Sequence, residues 1–234
     1  MSDDIHWYFA YGSNMLEEVF VKRRKIQPRK YEIAAINTHT LCFNVMGVPY
    51  TDPAMGGIRL REEQEIPVYG VAYQLTSEDM RRVILTEGGG IAYNTATLTA
   101  TLQRDGSSIS VTTLVARHQV DRSWERLPSR RYMGLLIRGA HEKSLPIEYQ
   151  ERMVSQPTFE PTSSLRFRLG KKIFDSIWQR VARWIEICVH RLKGDDGEVP
   201  RWFLKTFDCL LWTMWFHHDY LHSILWGRGD GVCR

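Results

Sequence analysis

Two parts of this sequence carry residue types that could do chemistry. Glu87 follows a helical run, precedes Gly88-Gly89-Gly90 and lies beyond a strand of aromatic and β-branched residues. A carboxylate in a partly apolar pocket has its pKa raised, and can serve as a base and then an acid near neutral pH. The same position also suits an ordinary surface glutamate at a helix end. The second part is Tyr8-Phe9-Ala10-Tyr11-Gly12-Ser13-Asn14-Met15. Its aromatic residues favour a strand, and Gly12-Ser13-Asn14 tolerate turn dihedrals and expose backbone N–H groups. Leu16-Glu17-Glu18-Val19-Phe20 then reads as the first turns of a helix. Such a junction can cradle an anion or a carbonyl, because the first N–H groups of a helix have no internal partners. It can equally do no more than turn a corner.

Other constellations point to structure. His218 and His222 stand one helical turn apart, a spacing that can bind metal, but no third ligand is assignable and capping or interface histidines explain them; no metal is expected. Arg228-Gly229-Asp230 resembles an integrin-type tripeptide only by letters. Val21-Lys22-Arg23-Arg24-Lys25 suits a solvated helix end, where cations complement the dipole, better than a localisation patch. In Met55-Gly56-Gly57-Ile58 the paired glycines suggest close approach of backbone to another strand or a ligand.

The elements that must hold these residues follow in order. Residues 33–44 read as one strand and 47–57 as a loop. Ile66-Pro67-Val68-Tyr69-Gly70-Val71-Ala72-Tyr73-Gln74-Leu75 is a strong strand. Thr76 or Ser77 caps a helix whose first turn is acidic and which stops at Thr86-Glu87-Gly88. Strands 95–102 and 109–116 are joined by Arg104-Asp105-Gly106-Ser107, a hairpin signal. A helix over about 133–142 and another after Pro146 follow. This order predicts an α+β fold with a small mixed β-barrel and flanking helices. Pro157-Thr158-Phe159-Glu160-Pro161-Thr162-Ser163-Ser164 reads as a linker, dividing the chain into 1–157 and a helical extension, 158–234.

The octet around YGSN resembles the signature of the γ-glutamylcyclotransferase family. The run from Val71-Ala72-Tyr73-Gln74-Leu75 through Met80 to Glu87-Gly88 is similar to that family's strand–helix–Glu-Gly segment. Pro128-Ser129-Arg130-Arg131-Tyr132, on to Leu145-Pro146-Ile147-Glu148-Tyr149-Gln150, resembles a third segment, and Met55-Gly56-Gly57-Ile58 a fourth, so the likeness spans about residues 7–155 in order. The resemblance implies that Glu87 is the catalytic acid/base. It also implies that Tyr8, Ala10, Tyr11, Gly12, Ser13, Asn14, Gly57 and Tyr132 bind substrate. The family's reaction closes a γ-glutamyl group on its own α-amine to 5-oxoproline and needs no metal or organic cofactor. The chain departs from the family in having Ile84-Leu85-Thr86, without further acids, before the glutamate. The inserted-looking Val48-Pro49-Tyr50-Thr51-Asp52-Pro53 could reshape the pocket.

At 234 residues, with 43% apolar and 25% charged residues, the composition is that of a globular protein with a sizeable core. Residues 1–164 hold 19 basic and 19 acidic groups, so the net +4 lies in the tail, with 12 Lys/Arg against 8 Asp/Glu from Leu165 onward. A neutral body offers no footprint for nucleic acid. Met1-Ser2-Asp3-Asp4 lacks the basic and apolar runs of a signal peptide, and Cys42, Cys188, Cys209 and Cys233 show no close pairing. A cytoplasmic protein with free cysteines is therefore expected.

In the tail, Ile173, Ile177, Val181, Trp184, Ile185, Cys188 and Leu192 recur at helical spacing, and a second helix runs from Pro200-Arg201-Trp202 to about Trp226 after a break at Gly194-Asp195-Asp196-Gly197. Six of the eight tryptophans lie there. A hairpin docked on the barrel with several tryptophans buried, or one pairing two subunits as a homodimer, is favoured over weak contact with a membrane surface. Such an extension resembles cyclotransferase-like proteins of fungal secondary-metabolite clusters, which implies a glutathione adduct or other γ-glutamyl amine as substrate. A cofactor-free acid–base cyclase or isomerase, and a non-catalytic binding module, are the alternatives on the same fold.

Overall fold

The computed structural model describes residues 5–87, 90–118, 125–194 and 198–232. The four N-terminal residues, Gly88 and Gly89, the Asp195-Asp196-Gly197 break and Cys233 lie outside that set. Seven strands form: β1 (Ile5–Ala10), β2 (Lys30–Ile36), β3 (His39–Val48), β4 (Asp52–Leu60), β5 (Val68–Thr76), β6 (Tyr93–Leu102) and β7 (Ser108–Ala116). Five close into a barrel in the order β1-β5-β2-β6-β7, and β3 and β4 make a separate hairpin. The barrel is mixed, because β1 runs antiparallel to β5 but parallel to β7. The helices are α1 (Ser77–Thr86), α2 (Arg130–Glu142), α3 (Ile147–Ser155), α4 (Leu165–Leu192), α5 (Arg201–Phe216) and α6 (Ser223–Trp226).

Side chains alternate across each strand, so neighbours on β1 serve two cores. Tyr8 joins Met15, Phe20, Val71, Tyr73 and Leu136. Phe9 joins Ala34, Ile36, Val68, Ala72 and Val111. The α+β barrel expected from the sequence is the fold observed, with three local differences. The single strand over 33–44 is two strands, since the chain turns at Asn37-Thr38 and leaves the barrel for the β3–β4 hairpin. Half of the supposed loop 47–57 is β4, where Ala54 and Ile58 are buried and pairing with β3 satisfies the backbone. Helix α2 begins at Arg130, three residues early, because the Ser129 hydroxyl accepts the Tyr132 N–H (3.0 Å) as an N-cap. Thr76 caps α1 through the Asp79 N–H (3.1 Å), as its sequence indicated.

The tail docks on the hairpin through Tyr50. This residue is fully buried, sits at φ +65° and packs against Phe167, Phe174, His218 and His222. Its N–H and hydroxyl both donate to the C-terminal segment, to the carbonyls of Gly229 and Gly227. A Cβ on Gly229 would lie 2.4 Å from the Tyr50 ring, so only glycine fits there. The Arg-Gly-Asp triplet is part of this lock. Arg228 pairs with Asp219 and Asp230, and buried Asp230 also holds Arg126. At the other end Arg117 and His118 grip Asp208 of α5. The expected burial of several tryptophans is not what forms: Trp215 is buried, whereas Trp184, Trp202 and Trp212 are about half exposed. Docking uses Tyr50, Phe167, Phe174, Met214 and Phe203 instead. No described helix is long and apolar enough to cross a membrane.

Candidate active site

Strand β1 ends at Ala10, and a short turn, Ser13–Met15, bonded from Met15 N–H to Gly12 O (3.0 Å), follows directly. The N–H groups of Gly12, Ser13 and Asn14 lie ahead of that first bond, which leaves them outside the turn's own ladder. Asn14 is buried, and its amide nitrogen donates to the Tyr8 hydroxyl (2.9 Å) and to Glu87 Oε1 (2.9 Å). Glu87 stands at the C-terminal cap of α1, held by its own N–H to Val83 O (3.1 Å). Its carboxylate therefore meets the turn of the YGSN stretch directly.

A second partner comes from the basic cluster. Arg24 Nη2 lies 2.7 Å from Glu87 Oε1. A wide π-type turn, Glu18–Arg23, with Arg24 N–H bonded to Val19 O, keeps Arg24 beside the stripe of buried Leu16 and Phe20. Lys22 and Arg23 behave as the solvated helix end expected, but Arg24 does not. The signal was present: Leu16, Phe20 and Arg24 recur four apart, on one helix face. Arg24 Nε and Asn14 Oδ1 are buried without a protein partner among the described residues.

Burial raises the Glu87 pKa above the ordinary glutamate value, while Arg24 and the Asn14 amide pull it down without cancelling the rise. Burial likewise pushes the phenols of Tyr8 and Tyr132 upward, so both stay protonated. Tyr132 projects from the first turn of α2, which Asp52 of β4 clamps through Ser129 and Arg131. Its hydroxyl accepts the Gly56 N–H (3.1 Å), and Tyr93 donates to Gly56 O (2.9 Å). Neither Tyr8 nor Tyr132 spends its own hydroxyl proton on a protein acceptor among the described residues.

Of the residues singled out from sequence, Tyr8, Asn14 and Glu87 form one hydrogen-bonded chain. Gly12 borders Tyr132, whose hydroxyl would lie 3.4 Å from a Cβ built on it. Ala10 and Ser13 flank the same turn. Tyr11 turns its hydroxyl to Leu114 O (2.6 Å) and braces β7. Gly57 faces Asn44, whose Oδ1 would be 2.2 Å from a Cβ, so the glycine that borders the tyrosines is Gly56. Arg24 and Tyr93 went unrecognised in the sequence; Tyr93 opens a strand and carries no motif.

The histidines of the tail are committed to structure. His218 Nε2 accepts the Gly229 N–H (3.0 Å) with Nδ1 on Asp219, and His222 Nε2 meets Gly170 O (2.9 Å). The nearby carboxylates of Asp219 and Asp230, which with His218 form the one cluster of metal-ligand type among the described residues, already carry arginines. A small cavity of about 20 Å³ between barrel and tail is lined by Met46, Ile91, Ala92 and Ala116 and by Phe207 and Leu211 of α5.

Comparison with known proteins places this arrangement. Residues 67–153 match the AIG2-like family and residues 164–225 the AclK C-terminal domain. The chain is 53% identical over 221 residues to the γ-glutamyl cyclotransferase gliK of Claviceps purpurea, covering 93% of this chain and 100% of that protein. It is 32% identical to gliK of Aspergillus fumigatus, covering 96% and 89%. A solved γ-glutamyl cyclotransferase structure superposes with a TM-score of 0.59 at 22% identity over 69% of this chain and 93% of that one, which speaks for the fold. The matched barrel and the matched tail together show that the chain belongs to the γ-glutamyl cyclotransferase family.

Proposed function

We propose that this protein is a cyclotransferase that releases 5-oxoproline from a γ-glutamyl amine, with Glu87 as the proton carrier. The observation that carries the reading is the Glu87 carboxylate, its pKa raised by burial, bonded at 2.9 Å to Asn14 of the turn whose N–H groups at Gly12, Ser13 and Asn14 lie ahead of its first backbone bond.

The α-amine of a γ-glutamyl group reaches its own γ-carbonyl and closes a five-membered lactam. The attack is intramolecular, so selection of the folded rotamer and exclusion of water supply much of the acceleration. Glu87 takes a proton from the α-ammonium as its nitrogen bonds to the carbonyl carbon. It returns that proton to the departing amine as the old C–N bond breaks, and the second proton shed by the closing nitrogen follows the same route, so the lactam forms neutral and the amine leaves as an ammonium. The N–H groups of Gly12, Ser13 and Asn14 face the developing oxyanion or the glutamyl carboxylate. The hydroxyls of Tyr8 and Tyr132 orient the substrate as donors. All atoms of both products come from the substrate, and no oxidant, reductant or water is consumed.

The substrate we infer is a bulky γ-glutamyl compound such as a glutathione adduct, because α5 sets apolar Phe207 and Leu211 against Ile91, four residues past Glu87, and so adds apolar surface on that side of the barrel. Residues 1–157 then carry the reaction and 158–234 wall its approach. The test is incubation with glutathione, γ-glutamyl dipeptides and a bulky glutathione S-conjugate, with mass-spectrometric detection of 5-oxoproline. Release of 5-oxoproline, fastest from the conjugate, is expected. No release from any γ-glutamyl compound would remove the reaction, and preference for free glutathione would remove the bulky substrate.

A further inference from the structure

The docked tail leaves a second surface unexplained. On α4, Leu165, Leu169, Ile173, Ile177 and Trp184 form an exposed stripe beside the buried one of Phe167 and Phe174. On α5, Trp202, Trp212 and Phe216 point away from the core residues Phe203 and Met214, and the chain continues outward through Tyr220, Leu221, Ile224 and Leu225. Trp202 and Phe216 are each 58% exposed and Ile224 69%. Between Lys205 and Asp219 the only acidic, basic or histidine side chains are Asp208, turned inward onto Arg117, and the two histidines bonded within the tail. The outer face of α5 is thus uncharged over three turns. So many exposed large apolar side chains on successive helices mark an interaction surface.

Its charge setting identifies the partner. The tail's acids are drawn into internal pairs: Asp175 with Lys171, Asp208 with Arg117, and Asp219 and Asp230 with Arg228. Among the described residues from 165 to 232 the exposed acids are Glu186 and Glu198 alone, against exposed Arg168, Lys172, Arg180, Arg183, Arg191 and Lys205 among others. Among the described residues the exposed charges that share α4 and α5 with this tryptophan-bearing face are thus mostly basic, a positive rim. A second copy docked by two-fold symmetry would set this rim against itself, with few acids to answer it. Anionic phospholipid answers both features, since cations meet the headgroups and tryptophans settle at the apolar–polar boundary.

We propose that the outer face of α4 to α6 docks this protein in the plane of an anionic membrane surface. The helices lie on the bilayer without crossing it, consistent with the lack of a described helix long and apolar enough to span. Docking there holds the barrel, neutral in charge, next to the layer into which apolar conjugates partition.

The experiment is co-sedimentation of the full-length chain with vesicles of phosphatidylcholine alone, or with about a quarter phosphatidylserine, at about 0.1 M and about 0.5 M salt. Partition onto the anionic vesicles should exceed that onto neutral ones at least roughly tenfold, and should fall at the higher salt. Arg180→Ala with Arg183→Ala should weaken it roughly 20- to 30-fold, about fivefold per cation. Trp212→Ser with Phe216→Ser should abolish it while 5-oxoproline release and the melting temperature stay unchanged. Lipids brominated near the headgroup should quench tryptophan fluorescence in the wild type, a reading independent of variant folding. Equal binding to neutral and anionic vesicles, or no binding at the lower salt, overturns the proposal. So does a solution dimer that the Trp212→Ser, Phe216→Ser protein fails to form, which assigns the face to a second copy.

Discussion

At Glu87 two influences oppose each other. Loss of solvent raises the proton affinity, and the Arg24 guanidinium at 2.7 Å lowers it. The balance leaves a carboxyl above the usual glutamate range, so the basic form gains as pH rises through that raised value. Glu87→Gln keeps the shape and removes the base, and turnover should fall by a factor of roughly 100 or more with the fold intact. Near-normal 5-oxoproline release by the variant would sink the mechanism. Arg24→Met removes the influence that favours the carboxylate. The acidic limb of kcat/KM against pH should therefore move to higher pH, with activity largely recovered on the alkaline side. A limb that stays in place would make Arg24 a bystander.

At the scale of elements, the turn after β1 works through close approach. Gly12 has an ordinary φ of −112°, and the space for a Cβ ends 3.4 Å away at the Tyr132 hydroxyl. Alanine fits that space, but the branches of valine do not. Gly12→Ala should stay active, whereas Gly12→Val should displace Tyr132 and lower kcat/KM on the order of 100-fold. Equal kinetics for both would make the turn purely structural. Tyr50 is the corresponding residue for the tail. Its ring fills the socket between hairpin and helices, and Tyr50→Ala should cost about 3–5 kcal/mol, read as a lower melting temperature. An unchanged melting temperature would mean that the tail is held elsewhere.

For the whole molecule, barrel and tail share cores. Tyr50 of the barrel's hairpin meets Phe159, Phe167, Phe174 and Trp215 of the extension, while Leu85 and Ile91 pack against the cluster of Val189 and Phe203. Each fully buried aromatic stabilises by about 1.5–3 kcal/mol, a large part of a domain's net stability. Deleting residues 164–234 should leave a marginal, aggregating barrel, which calorimetry and light scattering would report. A soluble truncated protein with the full-length melting temperature would overturn this.

What the sequence determined by itself were the features written in local chemistry. Thr76 before Glu78 and Asp79 caps a helix wherever it folds, Asp105-Gly106 turns a hairpin, and aromatic alternation from Trp7 makes β1 a strand. The order of these elements was enough for the barrel and its helical extension, and the YGSN and Glu87 segments were legible as family motifs. The split of 33–44 into strands of two sheets was not, because alternation continues across Asn37-Thr38 and only long-range pairing decides which partner each half takes. Arg24 looked like any solvated cation until a π-type turn kept it against Glu87. Six tryptophans in one tail looked like core, yet only Trp215 is buried. Apolar content says how much surface resists water, but not which part of it the barrel covers. That depended on Tyr50, at a positive φ inside a segment read as a loop, where no local preference leads a tyrosine. Only the packed molecule supplies the contacts that hold it there, and those same contacts leave the tryptophan face outward.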